Sequence, residues 1–564
     1  MISPQSKLRE IASRRQRINS SSGMTQLWIC FFIVGIIFFT LITYQTHLIL
    51  TNKALDTRPM VFSSTMKNIG ILERKGIDAF KHMPVIGSEF IHHTTHNNNN
   101  QNNNQNTLSL AIQSQLQQGR HELNCPNADL VSFWKGPRAS DLLWESPFIN
   151  IGPKAKYVTF EPDPGGWNNI RMQFETILVF ALATGRIFVL PPDQPMYLLN
   201  KGKGKANHHG FDDYFPFNEI KKRLPVITME EFMRREGITG HLTKNDSVTV
   251  VYPPGNKTVF NGANRDDRNS MWDYLREVSA CPPWKPMKQY LVIPPQINTQ
   301  DILTQSNLDI NYKNDIINRR SIDSAGREPR FYDNYWQSQK VVHFISKPGL
   351  GYRLLQHFYT FIHFDDAKVD RLMKRFIRDY VHYVDLIFCK GAMIINELLK
   401  ESEKKIIPRY SAFHIRRGEL QYKEVKIPAA KILENIGHHL PAGQLIYIAT
   451  DEKKKDFFDD FRKKFPTIRF LDDYFPLAKL DEINPNYLGM IDQVICTQGD
   501  NFVGTWFSTF TGYITRMRGY LGKHDHTVWL GDKKHMNRYQ HDENPKFPFY
   551  MREWNLSWVD IDQD

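Results

Sequence analysis

The chain has 564 residues, 41% hydrophobic and 23% charged, with a formal net charge of +12. That balance excludes a wholly disordered chain and a multi-span membrane protein, and the length exceeds that of one small domain. The positive charge fits either a solvated basic surface or a field that attracts an anionic ligand.

In chain order, the first element is Leu27–Leu50, a run of 24 residues with no Lys, Arg, Asp or Glu. As a helix it would extend roughly 36 Å, enough to cross a bilayer core of roughly 30 Å. A cleaved signal peptide has a shorter apolar core and a small-residue cleavage site, and Thr51-Asn52-Lys53 offers none. Residues 1–26 carry Lys7, Arg9, Arg14, Arg15 and Arg17 against Glu10 alone. Positive flanks stay in the cytosol, which predicts a single-pass type II anchor with a cytosolic tail at 1–26 and a lumenal body. A lumenal body disfavours nucleic acid as a partner. Residues 51–122 include the tract NNNNQNNNQ at 97–105 and read as a disordered stem.

Sequons stand at Asn245, Asn256 and Asn555, close to the number chance supplies. Beyond the span lie Cys125, Cys281, Cys389 and Cys496. Four cysteines allow three full pairings, and the apolar surroundings of Cys389 and Cys496 equally suit buried free thiols. No His/Cys spacing suggests zinc. Asp560, Asp562 and Asp564 read as solvated charge in an exposed tail, so no metal and no cofactor is expected.

Folded sequence is predicted from residue 123. Tyr157–Phe160 reads as a strand, followed by a Gly165-Gly166-Trp167-Asn168-Asn169 turn. A helix is expected from Ile170 to Thr184, stopped by Gly185, and then a strand at Ile187–Leu190. This is a parallel-sheet building block. Residues 294–330 read as a polar surface insertion, and Lys368–Glu401 as a helical region. A second α/β lobe is predicted from residue 405. Its strands are Tyr410–Ile415, Leu445–Ala449, Ile468–Leu471 and Phe502–Gly504. A helical stripe of Phe457, Phe458, Phe461 and Phe465 and a helix from Ser508 complete it. Two α/β lobes, 123–404 and 405–564, place a ligand crevice at the carboxyl ends of their strands.

Three constellations face such a crevice. The glycines of the GGWNN loop let backbone approach a ligand, and a helix start favours an anion; an ordinary turn with an Asn cap is the alternative. In His414-Ile415-Arg416-Arg417-Gly418-Glu419, strand alternation puts His414 and Arg416 on one face and Arg417 on the other. An arginine there can fork onto a diphosphate, or simply pair with a neighbouring carboxylate. Asp492 precedes Phe502-Val503-Gly504-Thr505-Trp506-Phe507-Ser508-Thr509-Phe510, whose hydroxyls and free amides suit phosphate, or a plain Ser cap.

Taken in order, these motifs resemble the GDP-fucose protein O-fucosyltransferase family over residues 123 to 530, with support from Leu224–Phe232 and Arg378–Tyr383. The resemblance implies an α/β fold of GT-B type, with two Rossmann-like lobes facing a central cleft. It implies GDP-fucose as the donor substrate, inversion at the sugar carbon, and no metal requirement. Arg416 then corresponds to the diphosphate-binding arginine and Asn169 to the loop asparagine beside the fucosyl diphosphate. Gly165, Gly166, Asn168, His414, Asp451, Asp492, Ser508, Thr509 and Phe510 are the remaining donor contacts implied, with Asp492 on guanine. Some members carry a glutamate as general base where this chain has Gly165, and Glu161 and Asp163 lie nearby. The acceptor implied is a protein Ser/Thr hydroxyl in the secretory pathway, with a glycan hydroxyl second, at a Golgi or endoplasmic reticulum membrane. A catalytically silent tethered binding protein is the rival reading, which the missing glutamate favours.

Overall fold

A computed structural model describes residues 119, 121–199, 209–244, 248–249, 251–252, 265–294, 326–405, 407–418, 426–523, 527–529, 553 and 555–563, with isolated positions at 113–116 and 314–318. The apolar run 27–50, nearly all of the stem, most of the polar insertion and the sequons at 245 and 256 lie outside the described residues. Among the described residues, no helix is long and apolar enough to cross a membrane.

The first lobe holds strands β1 (Tyr157–Phe160), β2 (Ile187–Leu190), β3 (Val226–Thr228) and β8 (Val341–Phe344) in the order β3-β2-β1-β8, all parallel. A short antiparallel pair is formed by β4 (Thr243–Lys244) and β5 (Val248–Thr249). A further parallel sheet, unforeseen from sequence, orders β7 (Glu328–Phe331), β6 (Gln289–Ile293) and β9 (Ile362–Phe364) as β7-β6-β9. The second lobe has β10 (Tyr410–Ile415), β11 (Leu445–Thr450), β12 (Ile468–Arg469), β13 (Phe502–Gly504) and β14 (Thr527–Trp529) in the parallel order β12-β11-β10-β13-β14. Every residue of β1 and β10 is buried, as helices on both faces of a parallel sheet require.

Helix α1 spans Trp167–Thr184 and ends at Gly185, whose φ of 63° is the left-handed conformation that glycine takes without a Cβ clash. It starts three residues before its predicted start, so Asn168 and Asn169 belong to its first turn rather than capping it. It is buried nearly all round, because a helix of the second lobe covers the side away from its own sheet. That helix, α8, spans Thr509–Tyr520.

The predicted helical region 368–401 is two helices. With α2 at Arg265–Val278, these are α3 (Ala367–Tyr380) and α4 (Asp385–Glu403). Neither Pro nor Gly breaks it. The four residues between α3 and α4 are pulled into tertiary contacts that a continuous helix would forfeit. His382 stacks on Trp134 at 4.0 Å between centroids. The Tyr383 hydroxyl donates to Gln493 Oε1 at 2.8 Å and accepts from Trp167 Nε1 at 3.2 Å. The amide of Val384 bonds the carbonyl of Tyr214.

In the second lobe, α5 covers Ala429–Ile436, α6 Asp459–Lys464 and α7 Leu488–Gln498. The phenylalanine stripe is split between a 3-10 turn at Lys455–Phe458 and α6, with Phe458, Phe461 and Phe465 buried. The expected strand to Leu471 stops at Arg469, since Asp473 accepts the Phe470 amide and starts a 3-10 turn.

Cys125 and Cys389 form a disulfide across 264 residues, which removes Cys389 from the free thiols; Cys496 is free and buried, and Cys281 is free and half-buried. Closing so long a loop restricts the unfolded chain strongly. Of the acidic tail, Asp560 is exposed as expected and Asp564 lies outside the described residues, but Asp562 is held by the fold. Ile561 is buried, Arg375 donates to its carbonyl, and Asp562 takes a two-pronged pair from Arg378 at 2.7 and 2.9 Å. Burial alone would raise the Asp562 pKa, but Arg378 and Lys135 hold it well below the usual carboxylate range. His121, near the start of the described residues, bonds Asp385 at 2.8 Å.

Candidate active site

The carboxyl ends of β1, β10 and β13 meet. From β1 the chain turns through Gly165 and Gly166 into α1. From β13 it turns through Thr505–Ser508 into α8. Thr509 Oγ1 donates to Asn169 Oδ1 at 3.0 Å, so the first turns of α1 and α8 touch across the lobes. One residue earlier on α1, the buried Asn168 Oδ1 accepts from Gln493 Nε2 at 3.2 Å and holds the lobes together at α7. Asn169 faces the crevice rim, whereas Asn168 is committed to this bridge.

Ser508 sits at the cap position of α8 but makes no capping bond. Its hydroxyl is buried and has no hydrogen-bond partner among the described residues. The simple cap suggested by sequence is therefore not formed. An unmet buried hydroxyl costs about 1–3 kcal/mol, which a ligand oxygen would recover. The preceding Phe507 has φ 61°, an outlier for an aromatic residue, and this turn aims the helix start. Gln493 Nε2 also donates to the Phe510 carbonyl at 3.0 Å.

The strand end at Arg416 is clamped from two sides. The Thr505 hydroxyl donates to the His414 carbonyl at 2.8 Å and accepts from the Arg416 amide at 3.0 Å. Asp451 accepts the Arg417 amide at 2.6 Å and the Gly418 amide at 3.0 Å. Each Asp451 oxygen thus holds one loop amide. A Cβ on Gly418 would lie 2.5 Å from Asp451 Oδ2. The side chains of His414 and Arg417 enter different surroundings. Arg417 stacks over Phe457 at 4.3 Å, while His414 packs on Phe510 at 4.4 Å and bonds Thr511 Oγ1 at 2.6 Å.

Burial, and secondarily Arg416, push the His414 pKa down to about 3, so the imidazole is neutral and Arg416 carries the charge at this strand end. Burial likewise lowers His382 to about 4. Because both folded values lie below the ordinary 6.5, the folded state binds fewer protons than the unfolded chain. Stability is thus full above pH 6.5 and falls as pH drops from 6.5 toward 4, by about 1.4 kcal/mol per pH unit for each histidine. Urea unfolding at pH 7.5 and 5 should show this fall, and His382→Asn should flatten it. A profile with the same slope in both proteins would contradict the assignment.

Asp492 lies half-buried one turn into α7, where Tyr447 donates to its Oδ1 at 2.5 Å. Burial, reinforced by Asp492, pushes the Tyr447 pKa well up, which keeps it the donor. Glu161 is buried against Arg276 at 2.6 Å and accepts the Lys347 amide. Asp163 is buried and bonds Arg353 through both oxygens, at 2.7 and 2.6 Å, and the Gly165 amide at 2.7 Å. Neither carboxylate is presented as a base. The sequence reading missed Arg353, Thr505, Tyr447 and Gln493. Tyr447 and Thr505 carry a signal, as polar residues inside or ending apolar strand runs; Arg353 and Gln493 carry none. Among the described residues, no cluster of His, Cys, Asp and Glu could hold a metal ion.

The sequence profile of the GDP-fucose protein O-fucosyltransferase family matches residues 157–521, which run from β1 to the end of α8. This chain belongs to that family. It is on that ground a GDP-fucose-dependent fucosyltransferase. No curated protein matches the sequence. Among solved structures, this fucosyltransferase is similar to POFUT1 in complex with GDP, at 17% identity and a TM-score of 0.33, over 67% of this chain and 99% of that one. The fucosyltransferase NodZ from Bradyrhizobium matches at 12% identity and a TM-score of 0.31, over 65% and 93%. Arabidopsis thaliana FUT1 with GDP matches at 11% identity and a TM-score of 0.32, over 83% and 85%.

Proposed function

We propose that the protein transfers L-fucose from GDP-fucose to a hydroxyl, with inversion, in a cleft between two lobes of GT-B type. The observation that carries this reading is the buried Ser508 hydroxyl at the start of α8, which has no partner among the described residues, beside the Thr509–Asn169 contact. Free amides and a hydroxyl at a helix start suit a diphosphate. As the sugar–oxygen bond breaks, charge builds on GDP, and Arg416 with these amides stabilises it without reorganising. The departing phosphate takes the acceptor proton, since Glu161 and Asp163 are both held in ion pairs. No metal is required. A protein Ser/Thr hydroxyl is the acceptor proposed. A thermal-shift comparison of GDP, UDP and CMP on the full chain tests the donor, with selective stabilisation by GDP expected. Equal shifts would overturn it.

Asp492 reads guanine in this scheme. Tyr447 fixes one carboxylate oxygen, and the carboxylate accepts from guanine N1 and N2. Asp492→Asn turns an acceptor into a donor facing a donor, at about 1–3 kcal/mol, or about 5–150-fold in GDP affinity. Calorimetric titration measures it, and equal affinities would remove Asp492 from the base site.

The body is proposed to be lumenal, tethered by 27–50 in a Golgi or endoplasmic reticulum membrane. The Cys125–Cys389 disulfide supports an oxidising compartment. Protease added to intact microsomes should leave the body uncut; digestion would reverse the topology.

A further inference from the structure

Where the resemblance puts a glutamate, Gly165 leaves a space that another part of the chain fills. A Cβ on Gly165 would overlap the Asn169 amide nitrogen and lie 2.5 Å from Arg353 Nη2 and 2.7 Å from Asp163 Oδ1. Asn169 and Arg353 therefore approach one point of the crevice loop from two sides. Arg353 comes from the segment after β8, far from the loop in sequence. Its Nε and Nη2 are directed at Asp163, and Asp163 is itself buried and tied to the Gly165 amide. Such a two-pronged pair sets the plane of a guanidinium and leaves its other edge, with Nη1, on the far side from the carboxylate. The Arg353 side chain is 39% exposed, whereas Asp163 is fully covered, so the cation is the member of the pair presented outward.

We propose that Arg353 is a second cationic contact to the donor diphosphate, reaching it from the first lobe as Arg416 does from the second. This rests on the donor reading above. The chain Arg353–Gly165–Asn169–Thr509 runs without a gap from this guanidinium to the start of α8, where the diphosphate is placed. A cation held by a buried carboxylate is preorganised and needs no rearrangement as the leaving group gains charge. A Cβ at 165 would crowd this guanidinium and the Asn169 amide.

The test uses the full chain in detergent, titrated calorimetrically with GDP and with GMP. If Arg353 grips the terminal phosphate, Arg353→Gln weakens GDP by about 10–100-fold and leaves GMP within about twofold, as loss of a charged hydrogen bond predicts. Gly165→Ala should weaken GDP too, since its Cβ crowds Asn169 and Arg353; where Arg353→Gln does not fold, Arg353→Lys titrated with both nucleotides decides the matter. Arg353→Lys should recover part of the affinity. Unchanged GDP affinity in both Arg353→Gln and Gly165→Ala overturns the inference. Equal losses of GDP and GMP overturn it as well, since they mark a structural role. A wild-type protein that binds neither nucleotide overturns the donor reading and, with it, this contact.

Discussion

Arg416→Lys is expected to lower fucosyl transfer by about 10²–10³-fold while the protein still folds. Lysine keeps the charge but loses the planar fork that matches a diphosphate. The backbone around Arg416 does not depend on its side chain, because Thr505 and Asp451 hold the neighbouring amides. His414 cannot replace the lost cation, because burial keeps it neutral. The readout is turnover of GDP-fucose, including its hydrolysis in the absence of acceptor, beside a thermal melt. Near-normal turnover with an intact melt would take Arg416 out of the site.

The second large effect is on stability. Arg516→Met should cost about 3–5 kcal/mol, because it strips a cation from a buried network and leaves Glu175 and Glu553 with Arg171 and His357 as their remaining partners. Arg516 lies on α8 and is fully buried. It pairs with Glu175 of α1 and, at 2.5 Å, with Glu553 from the carboxyl-terminal segment. Arg171 joins Glu175 at 2.5 Å, and His357 Nδ1 lies 3.0 Å from Glu553. Both lobes and the tail thus meet in one set of buried charges, beneath the Asn169–Thr509 contact. A loss of this size is a large part of the roughly 5–15 kcal/mol that holds a domain folded.

The network also sets an acid limit. Burial alone would raise the Glu553 pKa, but Arg516, His357 and Arg171 bring it down to about 2. Its contribution is complete above the ordinary value of 4.5 and is lost as pH falls from there toward 2. Urea unfolding of Arg516→Met at pH 7 measures the cost. A loss below about 1 kcal/mol would mean that the pair contributes no more than a surface bridge. Arg516→Met combined with Glu553→Gln should recover part of the loss, since fewer buried charges then lack a partner.

Sequence periodicity alone determined the strands Tyr157–Phe160, Ile187–Leu190, Tyr410–Ile415 and Phe502–Gly504, which form at the predicted residues. Parallel strands buried on both faces are continuous apolar runs, and such runs are local in sequence. The strands Gln289–Ile293 and Val341–Phe344 were not read from the sequence; the second pairs with β1, and the first lies at the centre of the sheet β7-β6-β9. The order of the three motifs and the different surroundings of His414 and Arg417 were also readable, because a period of two is local. Gly185 was legible because a left-handed helix end demands glycine.

Only the tertiary structure decided which polar residues serve the ligand and which serve the fold. Asn168 and Asn169 are adjacent and chemically identical, yet one bridges to Gln493 and the other to Thr509. Asp451 gives no sign in sequence that its two oxygens take the Arg417 and Gly418 amides. The break between α3 and α4, the Cys125–Cys389 pair and the docking of Asp562 on Arg378 all join residues remote in sequence. Arg353 reaches Asp163 across 190 residues. Periodicity reports which face of one element is apolar. It carries no information on which remote partner meets a polar side chain, and that pairing is fixed only when the lobes pack and each buried charge must find its counterpart.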